Sequence, residues 1–145
     1  MIPPFDATGN LPVGIHFSTW EDFLARFGCS PHRQILAAGL SAALAILRSV
    51  GCQTVYVDGS FVTAKAVPND YDVAWEPIGV DLPLLLATEP AFFDFRNLRA
   101  AQKAKFLGEF FPSSATADRV GRTFFEFFQV DKTTGEPKGI VALNL

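Results

Sequence analysis

The sequence predicts a single α/β (α+β) domain, a small mixed β-sheet with helices packed on it. Three stretches carry that expectation. Within residues 31–50, Leu36, Leu40, Ala43, Leu44 and Leu47 recur at helical spacing. "TVYV" at 54–57 is β-branched and aromatic, as strands prefer. "YDVAWEPI" has a period of two, with Asp72, Ala74 and Glu76 on one face and Tyr71, Val73 and Trp75 on the other.

Each element follows from local chemistry. Residues 1–17 are rich in Pro and Gly and read as an extended arm lying on the body. "STWEDFLARFG" starts a helix at 18–28, with Ser18 and Glu21 as a capping box and Gly28 as the stop. The second helix, 31–50, has only Arg33 and Arg48 as charges, which predicts burial, and Gly51 ends it. Gly59-Ser60 turns the chain out of the first strand, and "AVPND" loops to the second. "PLLL" reads as one helical turn and "PAFFDF" as a short third strand carrying Asp94. "NLRAAQKAKFL" is a basic helix from Asn97 to Leu107, and "FPSSATAD" breaks it. Val120, Phe124, Phe127 and Phe128 then suit a helix to Gln129, or "FFEFFQV" is a strand that pairs with the terminal "IVALNL". The domain thus has an arm (1–17), a helix (18–28), a core (31–95) and C-terminal helices with a strand (96–145).

Composition narrows the function. With 145 residues, 49% of them apolar, the chain can bury a core. Fifteen phenylalanines, many in adjacent pairs, imply core packing, with some rings of the C-terminal third left for a homodimer or partner interface. A net charge of −3 argues against a general polyanion binder. Cys29 and Cys52 lack metal spacing and read as free thiols. No signal-peptide pattern opens the chain, and its longest apolar run is too short for a bilayer. These features predict a cytoplasmic protein without membrane association.

The chemistry lies in "VYVDGSFVTAKAVPNDYDVAWE". Asp70 and Asp72 are alternate positions on a strand, so their carboxylates point the same way and repel unless a cation joins them. Gly59 lets backbone approach a ligand, and Ser60 offers a hydroxyl and an N–H to phosphate. A phosphate cradle beside metal-binding carboxylates is what phosphoryl or nucleotidyl transfer needs. Ser60 sits in Val-Asp-Gly-Ser-Phe, without the elbow of a hydrolase nucleophile. His16 and His32 have no carboxylate partner pattern and are given no catalytic role.

A strand, Gly59-Ser60, about ten residues, then Asp70-Tyr71-Asp72 on the next strand resembles the signature of the DNA polymerase beta-like nucleotidyltransferase superfamily. "AAQKAKFLGEFFP" and "FFEFFQVDKTTGEPKGI" further resemble an uncharacterised family of short bacterial nucleotidyltransferase-like proteins. The resemblance implies that Gly59 and Ser60 hold a triphosphate and that Asp70 and Asp72 bind one or two Mg2+ ions. It implies ATP or another NTP as donor and a protein, tRNA or small-molecule hydroxyl as acceptor. It also implies a third carboxylate on a later strand. Asp94 is the favoured candidate, as catalytic group and metal ligand, with Glu76 and Glu126 as the others. A toxin–antitoxin context, with a protein partner, fits the superfamily's minimal members. Without a third carboxylate, the site would be a degenerate nucleotide-sensing or partner-binding module. Lys65 and Lys103 are candidate phosphate ligands, and Lys103, Lys105, Arg96 and Arg99 a candidate basic face for triphosphate or an RNA end, or a solvated helix face. Arg122 and Glu126, four residues apart, are expected to pair.

Overall fold

A computed structural model describes residues 2–145 as one five-stranded mixed sheet with five helices packed on it. The strands are β1 (Ile15–Ser18), β2 (Thr54–Asp58), β3 (Tyr71–Trp75), β4 (Gly108–Pro112) and β5 (Ile140–Asn144). The helices are α1 (Trp20–Phe27), α2 (Pro31–Ser49), α3 (Leu82–Thr88), α4 (Arg96–Phe106) and α5 (Phe124–Phe127). The sheet order is β1-β5-β2-β3-β4. The outer pairs, β1 with β5 and β3 with β4, are parallel, and β2 pairs antiparallel with both β5 and β3.

The period of two divides the sheet into two faces. Val55, Val57, Tyr71, Val73, Trp75, Phe110, Val141 and Leu143 point toward the helices and join Leu36, Leu40, Leu47, Phe23, Phe27 and Phe106 in the main core. The opposite face carries Tyr56, Ala74, Phe111 and Ile140, covered by Phe124, Phe125, Phe127 and Phe128. The phenylalanine pairs of the C-terminal third therefore pack largely within the chain, one ring of Phe110-Phe111 on each face. At about 25 cal/mol per Å2 of apolar surface buried, such rings dominate the packing energy.

Helix α2 begins as its sequence dictates: Ser30 caps it, accepting from the Arg33 N–H at 3.2 Å, and Pro31 fills the first turn. The first helix starts later than its spacing suggests. Thr19, not Ser18, is the cap, accepting from the Asp22 N–H at 3.1 Å. Ser18 closes β1, so the arm ends as a sheet edge strand.

Three other expectations are corrected. "PAFFDF" is not a strand but a 3₁₀ turn at Pro90–Phe93. Pro90 has no ladder donor, and Glu89 accepts from the Ala91 N–H at 3.3 Å to start the turn. "GEFFP" is the strand instead. Its edge is closed by the wholly buried Gln102, whose amide bonds both the N–H (2.7 Å) and the C=O (3.2 Å) of Phe110. The Val120–Gln129 segment is neither a long helix nor a strand. Asp118 holds the Val120 and Arg122 N–H groups, each at 3.1 Å, and pairs with Arg122 at 2.6 Å, while Thr123 and Glu126 form a capping box that starts α5 at Phe124. Arg122 therefore does not pair with Glu126.

Helix α4 opens abnormally. Asn97, Leu98 and Arg99 have φ of +52°, +55° and +61°, a full left-handed turn of non-glycine residues. Each such residue costs roughly 1–2 kcal/mol. Leu98 is 70% exposed, so its side chain contributes little packing. Leu98→Gly is expected to relieve that strain, less the ~0.5–1 kcal/mol that glycine's chain entropy costs. A melting temperature about 2 °C higher by calorimetry is the predicted result.

Candidate active site

Strand register brings the acidic residues together. Asp58, the last residue of β2, faces Asp72 across the antiparallel ladder, and Asp72 faces Glu109 across the parallel one. Three carboxylates thus form a row across β2, β3 and β4, and Asp70 lies two residues before Asp72. Oxygens of Asp70, Asp72 and Glu109 all lie within 4.8 Å of one another. An all-oxygen donor set of that size suits a hard divalent cation.

Glu109 is the third carboxylate, which sequence reasoning missed. The three candidates named for that place lie elsewhere. Asp94 follows the 3₁₀ turn and pairs with its near neighbour Arg96 at 2.9 Å, which pulls its pKa down to about 2. It lines a different cleft, with Phe95 and Lys105, not the one that holds Asp70 and Asp72. Glu76 lies beyond the far end of β3 and accepts from the Ser113 hydroxyl at 3.2 Å. Glu126 is consumed in the α5 capping box. The signal for Glu109 was a lone charge in an apolar run bounded by Gly108 and Pro112.

A cleft of about 340 Å3 joins the dyad to the turn. Asp58, Gly59, Ser60, Lys65, Asp70 and Asp72 all line it. Gly59 adopts φ +89°, ψ −179°, a conformation almost confined to glycine. A Cβ there would meet the Asp72 backbone N at 3.1 Å and its carboxylate at 3.2 Å. Ser60 ties the turn to the dyad loop, its hydroxyl accepting from the Asn69 N–H at 3.3 Å and donating to the Asp70 C=O at 3.5 Å. Lys132 and Lys138 also line the cleft, and Lys138 pairs with the buried Asp58. Both lie in "DKTTGEPKG", which read only as turn chemistry.

The expected basic face is resolved into separate pairs. Arg96 binds Asp94, and Lys105 binds Glu89. Arg99 reaches Glu109 at 2.6 Å, with Lys103 at 3.7 Å. Lys103 therefore sits beside the third carboxylate, while Lys65 lines the cleft with Gly59 and Ser60.

The carboxylates are electrostatically frustrated. Burial raises the pKa of Asp72 well above its usual range, and Glu109, Asp58 and Asp70 raise it further. Burial also raises Asp70, with Glu109 adding to it, and raises Asp58 against the opposing pull of Lys138. Burial would raise Glu109 too, but hydrogen bonds from Asp72 and Arg99 and the charges of Arg99 and Lys103 outweigh it, and its pKa falls. The two neighbouring carboxyls are thus pushed in opposite directions, Asp72 up and Glu109 down.

Fold and site define a mixed-sheet α+β protein with an acidic triad beside a glycine-serine turn. Residues 3–144 match the pattern described as "Family of unknown function (DUF6932)", and the chain belongs to that family. No curated protein and no solved structure matches it. Among the described residues no helix is long and apolar enough to cross a membrane.

Proposed function

We propose that this protein is a magnesium-dependent nucleotidyltransferase that moves a nucleoside monophosphate from a triphosphate, ATP foremost, to a hydroxyl. The observation that carries the reading is the convergence of Asp70, Asp72 and Glu109 oxygens within 4.8 Å, beside the cleft lined by Gly59 and Ser60.

The donor chemistry fits Mg2+, which favours one or two carboxylates together with substrate phosphates. Bound there, it would offset the charge that develops on the reacting phosphate. The chain's own groups do the rest. The open backbone at Gly59 and the N–H and hydroxyl of Ser60 receive the β- and γ-phosphates, with Lys65 at the cleft wall. Asp70 and Asp72 would hold the cation. Glu109, ionised, accepts the acceptor's proton as its oxygen bonds to the α-phosphorus. The bond from the α-phosphorus to the bridging oxygen breaks, and pyrophosphate leaves. A cytoplasmic setting with an antitoxin or toxin partner is consistent with this reading.

One contact favours a second reading, a nucleotide-sensing or partner-binding module: Arg99 already neutralises Glu109. Pyrophosphate release with each triphosphate and Mg2+, on wild type and Asp70→Ala/Asp72→Ala, separates the two. Transfer predicts release that the double variant loses. Triphosphate binding by titration calorimetry without any release would leave the module.

A further inference from the structure

The carboxylate row has the Gly59 cleft on its β2 side and a second cavity on its β4 side. That cavity, about 350 Å3, is walled by Phe95, Arg99, Phe111, Thr116 and Phe124, with Pro112 and Ala115 between. Its rings are held nearly parallel. Phe111 stacks on Phe124 at 4.0 Å with 10° between the planes, and Phe95 lies 6.0 Å from Phe111 at 9°. Phe124 covers one face of Phe111 and the Arg99 guanidinium lies over its ring, which leaves the half-exposed Phe95 as the ring a flat group can stack on.

The cavity adjoins the triad. Glu109 and Phe111 are alternate residues of β4, so they share a face about 6.8 Å apart. Arg99 joins them: its guanidinium lies 5.5 Å over the Phe111 ring while bonding Glu109 at 2.6 Å. Arg99 is the last residue of the strained left-handed turn and Phe95 lies two residues before it, and such strain gathers at ligand clamps. Phe95 is 42% exposed, at the mouth.

We propose that this cavity is a nucleobase-stacking subsite. A flat heteroaromatic ring would stack on the Phe95 ring, with Thr116 and Arg99 at its polar edge. Its ribose hydroxyl would then lie toward Glu109. Base stacking on aromatic rings beside an arginine is how proteins hold unpaired nucleotides. Resting on the transfer reading, the subsite names the acceptor class as a nucleoside or a single-stranded RNA end. The base of the donor triphosphate shares the same chemistry and is the other source.

The test is made first in EDTA, with the whole chain, on adenosine, cytidine, guanosine, uridine and a trinucleotide ending in 4-thiouridine. Wild type is expected to bind at least one nucleoside and to photocrosslink the thiouridine at Phe95, Phe111 or Phe124. Phe95→Ala should weaken binding roughly 5- to 100-fold, the usual loss for one stacking ring. A loss for RNA with unchanged affinity for ATP and Mg2+ assigns the subsite to the acceptor. A loss for ATP instead assigns it to the donor base, and either supports stacking. No crosslink in the cavity and no effect of Phe95→Ala on either ligand overturns the proposal, as does capture of a tyrosine peptide in preference to every nucleoside. Failure of the transfer reading is distinguishable, because nucleoside binding in EDTA needs neither the cation nor turnover.

Discussion

Replacing Asp72 by asparagine is expected to raise the melting temperature of the protein in EDTA while lowering the proposed metal-dependent transfer by about 10³-fold. Both effects come from one placement. Asp72 is 7% exposed, opposite Asp58 and Glu109 in the ladder and two residues from Asp70. Burial and three neighbouring carboxylates raise its folded pKa above the ordinary 3.8. Between that value and the raised one, the native state holds a proton that the unfolded chain has lost. The group's contribution to stability is therefore intact below 3.8 and falls as pH rises toward the folded pKa. Asparagine keeps the neutral shape and can still donate to Glu109, so it removes the penalty without opening a cavity. As pH rises above the ordinary 3.8, melting temperatures should slope downward less in the variant than in wild type, and Mg2+ should stabilise wild type alone. The catalytic loss follows from the missing ligand. A metal supplies several kcal/mol of transition-state stabilisation, and each ~1.4 kcal/mol is a factor of ten. A variant that melts below wild type at the alkaline end, or one that keeps its transfer rate, contradicts the account.

The dyad, its turn and the strands that bear them were legible because each signal is local. β-branched residues mark β2, a period of two marks β3, and Gly59-Ser60 needs only its immediate neighbours. Glu109 was not legible, because its role depends on a parallel pairing with a strand more than thirty residues away. Its segment follows good helix formers, and "GEFFP" is too short to announce its period. Asp94 misled for the complementary reason: "AFFDF" is short and aromatic like a strand, but Pro90 and the Glu89 cap turn it into 3₁₀ geometry. The basic residues of α4 read as one face because sequence does not show partners. In the fold, Glu89, Asp94 and Glu109 each claim part of that charge. The strand β1 was hidden inside an arm whose Pro and Gly content suggested no ladder at all.

Arg33→Met is expected to cost about 3–5 kcal/mol of stability and to weaken triphosphate binding at least tenfold. Arg33 read as one of two charges on a buried helix, and its reason lies in the loop after Gly59. It is 4% exposed, and its guanidinium donates to four carbonyls: Phe27 at 3.2 Å, Phe61 at 2.7 Å, Thr63 at 3.1 Å and Lys65 at 2.6 Å. It also lies 5.2 Å over the Phe61 ring. Burial lowers its pKa, yet a guanidinium remains charged at any working pH. One cation thus fixes the backbone that leads from Ser60 to Lys65, the proposed phosphate side of the cleft. Removing it strands four carbonyls, at least two of them in buried surroundings. Lysine does not replace it, because a single ammonium cannot span the fork's two directions. Urea denaturation of Arg33→Met and Arg33→Lys should place both midpoints well below wild type. Hydrogen exchange should quicken at amides 60–65 more than in β2. Equal exchange in loop and strand would make Arg33 a general core contact, and wild-type triphosphate affinity in Arg33→Lys would remove its role in positioning the loop.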